Sequence, residues 1–207
     1  MSIITARILP SNFEIVRDRI FDIISSEMAY QAATFGDTDL VMKIWNSRSV
    51  AFDKVEVMPQ AAVNVNYVHS DYNSMDVTME TDVHKYTIDV HTGGKTKQDG
   101  SSRGDANAMV KAQKILGICK KIFMDPQYKT LGFAPPSVQR RSCEAVDIAQ
   151  SSRGDDADSL TMGRLTVNVQ INEECNLINA DLIKGFDAQV KIELTDKGYY
   201  FQVNNYA

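Results

Sequence analysis

Lys85-Tyr86-Thr87-Ile88-Asp89-Val90-His91-Thr92-Gly93-Gly94-Lys95 is the stretch that decides the fold. Tyr86, Ile88 and Val90 fall on one side of an extended chain and Lys85, Thr87 and Asp89 on the other, because successive strand side chains point to opposite faces. One face of this strand is therefore predicted to enter a core. Upstream, Val63, Val65 and Tyr67 alternate with Asn64 and Asn66. A polar stretch through Asp71, Tyr72 and Asn73 is read as the turn joining the two runs into an antiparallel hairpin. Val55 and Val57 carry the alternation further back, with Pro59 marking an edge or a break. Downstream, Gly93 to Arg103 is rich in Gly, Lys and Ser and reads as a surface loop.

The hairpin sits between two helical patterns. Ser11-Asn12-Phe13-Glu14 has the spacing of a capping box, in which the serine oxygen and the glutamate carboxylate each take a free backbone N–H. Phe13, Val16, Ile20, Ile23, Ile24 and Met28 then recur at steps of three and four, which predicts a helix ending near Ala33. Residues 35–52 have poor periodicity, with room for a short helix. A second helix is predicted from Asp105, read as its N-cap, through Met109, Ala112, Ile115, Leu116, Cys119, Ile122 and Phe123, with Pro126 just beyond its end. Its Lys111, Lys114, Lys120 and Lys121 lie towards the C-terminal half, where cations suit the helix dipole.

Strands are predicted at Val138 to Ile148 and Leu160 to Ile171, where Leu165, Val167, Val169 and Ile171 alternate. Val190, Ile192 and Leu194, a turn at Asp196-Lys197-Gly198, and Tyr199, Phe201 and Val203 predict a C-terminal β-ribbon. The order predicts an α+β fold: a mostly antiparallel sheet with two helices packed on one face, plus the ribbon. With no linker in 207 residues, residues 1–207 are read as one domain.

Composition narrows the function. A 43% hydrophobic and 24% charged chain can fold without disulfides or metal, while a net charge of -5 argues against general affinity for nucleic acid. Cys119, Cys143 and Cys175 are too few and too scattered for a disulfide framework and read as buried thiols. No run approaches the roughly 18 apolar residues of a membrane span, and Met1 to Arg7 is too short and interrupted for the core of a signal peptide. A non-membrane, cytosolic-type protein is the expectation.

Candidate chemistry is sparse. His91-Thr92-Gly93-Gly94-Lys95-Thr96 resembles the end of a P-loop, but Asp89 stands where the motif's first glycine belongs, and the following helix starts about ten residues too late to aim at a phosphate. Ser-Ser-Arg-Gly-Asp occurs at Ser101 to Asp105 and again at Ser151 to Asp155; integrin ligands present Arg-Gly-Asp, yet exposed turns and N-caps use the same residues. Asp155, Asp156 and Asp158 lack the glycine and glutamate of an EF-hand loop. His69, His84 and His91 lie on the hairpin without zinc-site spacing, and His84 shares the face of Tyr86 that is predicted to be buried. Cys119 or Cys143 beside a histidine would make a nucleophile pair, but the helix stripe puts Cys119 in the core, where thiols are inert. Catalytic, metal and cofactor sites are therefore not assigned, and the chain is read as an assembly protein.

The order of elements gives that reading content. A capping-box helix containing Ile20-Phe21-Asp22-Ile23-Ile24 is followed by Pro59 to Tyr67 and by Tyr86 to Lys95, then by an Asp-led helix ending in Ile122-Phe123-Met124-Asp125-Pro126, then by two strands. From about Ser11 to Glu174 this order resembles the tail terminator family of bacteriophages, the tail-completion proteins that cap the tail tube.

The resemblance implies a virion protein, made in the host cytoplasm, whose one sheet and two helices assemble as a six-fold ring, a homo-hexamer, on the tube end. Its partners would be other copies of itself, the tail tube protein, and a head-completion or neck protein, with DNA passing through the channel. It also implies that Thr92 to Arg103 approaches the channel, making Lys95, Lys97 and Arg103 candidates to face DNA or an acidic ring. Asn176 to Ala207 departs from the family pattern as a C-terminal extension. Val190, Ile192, Tyr199 and Phe201 are its subunit-interface candidates, if the ribbon adds to a neighbour's sheet and is not an edge hairpin of its own chain. The alternatives are a neck or head–tail connector of the same virion and, in a different class, an adhesion module using the Arg-Gly-Asp loops.

Overall fold

The computed structural model describes residues 10–52, 54–57, 60–76, 79–97, 103–135, 137–150, 158–172, 185–190 and 199–204. In chain order these form α1 (Asn12–Phe35), β1 (Lys43–Asn46), α2 (Lys54–Val57), β2 (Ala62–Asp76), β3 (Met79–Lys95), α3 (Gly104–Met124), β4 (Val138–Gln150), β5 (Asp158–Asn172), β6 (Gly185–Val190) and β7 (Tyr199–Asn204). Five strands make one sheet in the order β1-β2-β3-β5-β4, parallel only between β1 and β2. The fold is α+β, as the periodicities predict.

The deciding strand lies at the centre of the sheet. Val63 pairs with Val90, Val65 with Ile88 and Tyr67 with Tyr86, while Ile88 pairs with Leu165 and Tyr86 with Val167 on the other side. Directly opposed residues share a face, so these side chains form one apolar surface. Val63, Val65, Tyr86, Ile88, Val90, Leu165 and Val167 are all inaccessible to solvent. They pack against Val16, Ile20, Ile24 and Met28 of α1 and Ile115, Leu116, Cys119 and Phe123 of α3 in one cluster, so both long helices cover the same side of the sheet. Burying each such side chain contributes roughly 1.5–3 kcal/mol. Tyr86 also donates its hydroxyl to the Phe13 carbonyl at 3.0 Å, which satisfies a buried polar atom and ties α1 to the sheet.

The capping box at Ser11 is present, with Ser11 N–H donating to Glu14 Oε2 at 3.0 Å. α1 continues two residues past the predicted end and stops at Gly36, whose φ of 65° places it in the left-handed region that glycine reaches without strain. α3 sits close on the sheet at two points. A Cβ on Gly94 would overlap the Gly104 carbonyl, so the end of β3 and the start of α3 touch backbone to backbone. A Cβ on Gly163 would overlap Leu116 Cδ1, so that glycine leaves the space the leucine fills. Between them Thr92 donates its hydroxyl to the Ala108 carbonyl at 2.7 Å.

Several expectations need correction. Val55 and Val57 belong to no strand: residues 54–57 form a single helical turn, held by paired hydrogen bonds of 2.8 Å from Arg48 to Glu56, with Val57 buried. A tertiary ion pair overrides local alternation here. Asp71, Tyr72 and Asn73 are not the hairpin turn, because β2 continues to Asp76 with Asn73 opposite Thr81. Residues 35–52 hold a short 3₁₀ helix (Thr38–Leu40) and the edge strand β1. α3 begins at Gly104 with Arg103 as its N-cap, so Asp105 lies in the first turn. Cys119 is buried, but Cys143 is only half-buried, and Cys175 lies outside the described residues. The ribbon pairs Gly185–Val190 with Tyr199–Asn204, so its first arm precedes Ile192 and Leu194, which lie outside the described residues.

Crowding at Gly94 and open space at Gly117 lead to opposite expectations for two glycines. Gly94→Ala should lower the unfolding free energy by about 2–3 kcal/mol, since the atom it meets is backbone and cannot swing aside. Gly117→Ala, on an open face of α3, should raise it by about 0.5–1 kcal/mol. Urea denaturation of both variants checks this.

Candidate functional site

Lys95, the last residue of β3, and Lys97 are exposed beside the start of α3. Thr96 Oγ1 accepts from Gly104 N–H at 3.0 Å and so takes one of the free donors at the helix start. Arg103 is exposed and paired with Asp105, Nη2 to Oδ2 at 2.9 Å, and this hydrogen bond holds the Asp105 carboxyl below its usual range. Of the three predicted loop cations, two point into solvent and the third is partly neutralised by its neighbour. Residues 98–102 and the second Arg-Gly-Asp sequence, residues 153–155, lie outside the described residues. In the ladder Lys95 stands opposite Asp158. Val190 and Tyr199 are paired in the ribbon and Phe201 faces Ala188, which places their backbones but not their side chains.

The sheet face away from the helices is polar and has a structure that sequence reading missed. Arg48 lies over the rings of Trp45 and Phe52, at 5.1 and 4.2 Å from their centroids, while its guanidinium forks onto Glu56. Its backbone is clamped by Asn64, which accepts from Arg48 N–H at 3.0 Å and donates to the Arg48 carbonyl at 2.8 Å. Asp89, 5% exposed, takes a bidentate pair from Arg164 at 2.6 and 2.9 Å. His91 packs on Phe52 at 4.7 Å. Burial holds its pKa below the ordinary value; Asp89 opposes that shift, and Arg164 and Arg48 reinforce it. This constellation seals residues 47–52 and 54–57 onto the outer face.

On the helix face, Ser70 Oγ lies 2.9 Å from Tyr67 OH and 2.5 Å from His84 Nδ1, with Asp82 also buried two residues before the histidine. A serine beside an imidazole is a nucleophile pattern. Here the ring of Phe13 stacks on Tyr67 at 4.4 Å and meets His84 edge-on at 6.4 Å, and His84 is 1% exposed. The imidazole is thus packed under α1 and hydrogen-bonded to half-buried Ser70, which in turn meets Tyr67. Burial pushes the Cys119 thiol up to about 12, which keeps it protonated and unreactive. Among the described residues no group of His, Cys, Asp and Glu is placed to hold a metal ion, and no helix is long and apolar enough to cross a membrane.

Two surfaces at the margins of the sheet are better suited to macromolecules. Beside β1 an apolar groove of about 610 Å³ is lined by Phe21, Met28, Ala32, Leu40, Met42 and Ile44. At the other margin β4 extends beyond the cover of α3, leaving Val146 47% exposed although it pairs with fully buried Leu165. Arg141, also on β4, reaches back to donate to the Phe123 and Asp125 carbonyls at the end of α3. The groove is invisible in sequence because it forms between one flank of α1 and a strand some distance along the chain.

No protein-family model matches the chain, and no curated protein matches it.

The His91 environment makes stability pH-dependent. Because the folded-state pKa is depressed, the unfolded chain takes up the proton first as pH falls below about 6.5, and the folded state loses stability from there downwards. Above that pH the contribution is constant. The urea midpoint of the wild type should fall more steeply between pH 7.5 and 5 than that of His91→Asn, as parallel titrations would check.

Proposed function

We propose that the protein is a structural component of a bacteriophage tail that assembles as a ring, caps the tail tube and joins it to the head or neck. The observation that carries this reading is the architecture: one sheet with two long helices on the same face, in the element order on which the resemblance to tail terminators rests. Two features of the described residues agree with a role in assembly. His84 and Cys119, which the sequence singles out, are buried in packing, while an apolar groove of about 610 Å³ lies at a sheet margin.

In this reading, copies of the chain surround a channel through which DNA passes. Lys95 and Lys97 face that channel as exposed surface cations, and Arg103 contributes through a charge shared with Asp105. Two lysines per copy, repeated around a ring, give a positive collar even though the whole chain carries -5. The tail tube protein and a head-completion or neck protein occupy the two faces of the ring. The protein acts as a scaffold and carries out no reaction.

Electron microscopy of the purified protein, alone and mixed with tail tubes, tests the reading. Rings with a central hole, or caps confined to one tube end, are the expected result. Protein that remains monomeric at high concentration and also ignores the tubes would overturn it. Lys95→Glu with Lys97→Glu should leave ring assembly intact and weaken DNA retention in assembled particles, measured as DNA released on mild heating.

A further inference from the structure

The sheet has two dissimilar margins, and among the described residues neither has a strand partner. β1 is the short margin, four residues beside the apolar groove. β4 is the long one, with register shifts at Val138/Arg140 and Cys143/Ala145 and a regular run from Ala145 to Gln150. Bulges and inward charges such as Arg141 are ordinary devices for protecting an edge, and they occupy the first half of β4 only. The second half keeps an unbroken register, and its helix-side Val146 is exposed.

Strand direction constrains how two copies can meet. β1 and β2 run together, β3 runs against them, β5 returns and β4 runs against β5. If a second copy is set beside the first with its helices on the same face and its strands along the same axis, its β4 arrives next to β1 antiparallel. That is the more stable pairing. The side-chain alternation then selects the register. Ile44 is on the helix side because it pairs with buried Val63, and Val146 is on the same side because it pairs with Leu165. Lys43 pairs with Ala62, which faces His91, and Asp147 pairs with Arg164, so both point to the outer face. Both are exposed.

We propose that copies of this chain join head to tail by adding β4 of one copy to the free edge of β1 in the next. The strands are antiparallel, with Lys43 opposite Asp147, Ile44 opposite Val146 and Trp45 opposite Ala145. The pairing sets opposite charges together on the outer face, places the exposed valine at the mouth of the groove lined by Met42 and Ile44, and matches the large Trp45 with a small alanine. It joins two different patches, so it generates a ring when its rotation closes and an open filament when it does not. The inference rests on the ring reading for its head-to-tail sense, and it names the residues that make the joint.

Cross-linking tests it directly. Within one copy β1 and β4 are separated by three strands, roughly 19 Å at the usual strand spacing, well beyond the reach of a disulfide. Any link between them therefore joins two copies. In a background with Cys143→Ser and Cys175→Ser, the double variant Ile44→Cys, Val146→Cys should give a ladder of oligomers on a non-reducing gel after mild oxidation. Each single variant should stay unlinked, and an equal mixture of the two should give dimers only. A linked dimer from Val146→Cys alone would mean β4 pairs with β4 and would overturn the proposal, as would the absence of linked species both in solution and on tubes.

A second measurement does not depend on cysteine chemistry. Lys43→Asp and Asp147→Lys should each weaken self-association by about two- to fivefold, and together they should restore it; additive losses in sedimentation experiments would overturn the register. Caps on tubes without cross-links would leave the ring reading standing and remove this joint. An open ladder with neither rings nor caps would do the reverse.

Discussion

The close seating of α3 on β3 and β5 is the constraint from which the rest of the architecture follows. Gly94 and Gly104 bring backbone against backbone, Thr92 ties the second turn of the helix to the strand, and Gly163 leaves room for Leu116. A helix held this close covers the centre of the sheet and leaves Val146 of β4 exposed. α1 fills the other half of the same face, with Tyr86 anchoring its start through the Phe13 carbonyl. The outer face has no long helix to cover it, and residues 47–52 and 54–57 cover its β1–β2 end through Arg48, Glu56 and Asn64. The half-covered margins of the sheet thus result from how its middle is packed.

Much of this was legible in the sequence wherever local pattern and tertiary environment agree. Tyr86, Ile88 and Val90 alternate because they pair on both sides and face helices, and the stripe from Val16 to Met28 repeats at helical spacing because it lies on that surface. The reading failed where a distant partner decides the local conformation. Lys43-Ile44-Trp45-Asn46 carries little alternation of its own and becomes a strand only because Ala62 to Val65 lies beside it in parallel. Val55 and Val57 look like strand residues, yet Glu56 between them is captured by an arginine eight residues upstream. Asp105 has the composition of an N-cap, but its carboxylate turns back to Arg103 and to the Ala106 N–H.

The candidate site was legible in part. Lys95, Lys97 and Arg103 are surface residues of a polar loop, as their neighbours imply, whereas the pairing of Arg103 with Asp105 depends on how the helix starts. The groove beside β1 could not be read, because its walls come from the flank of one element and the edge of another that had itself gone unrecognised. The histidines illustrate the same limit. All three sit on β2 and β3, but only the fold separates His84, held under Phe13, from His91, pressed against Phe52, and from His69 near Asp71 at the surface.

The ladder between β3 and β5 runs from Thr81–Asn172 to Lys95–Asp158, so the central strand waits for a partner encoded some 60 to 90 residues later, with the whole of α3 in between. Such non-local pairing slows folding, because the entropy of closing the loop is lost before the contacts that offset it can form. During synthesis the β2–β3 hairpin emerges first and presents a long apolar strand with one side unmatched for several seconds at ordinary ribosomal rates. The nascent chain is therefore most exposed to mispairing before its own last long hairpin is made, and α3, which grows directly from the end of β3, is the element placed to shield it in that interval.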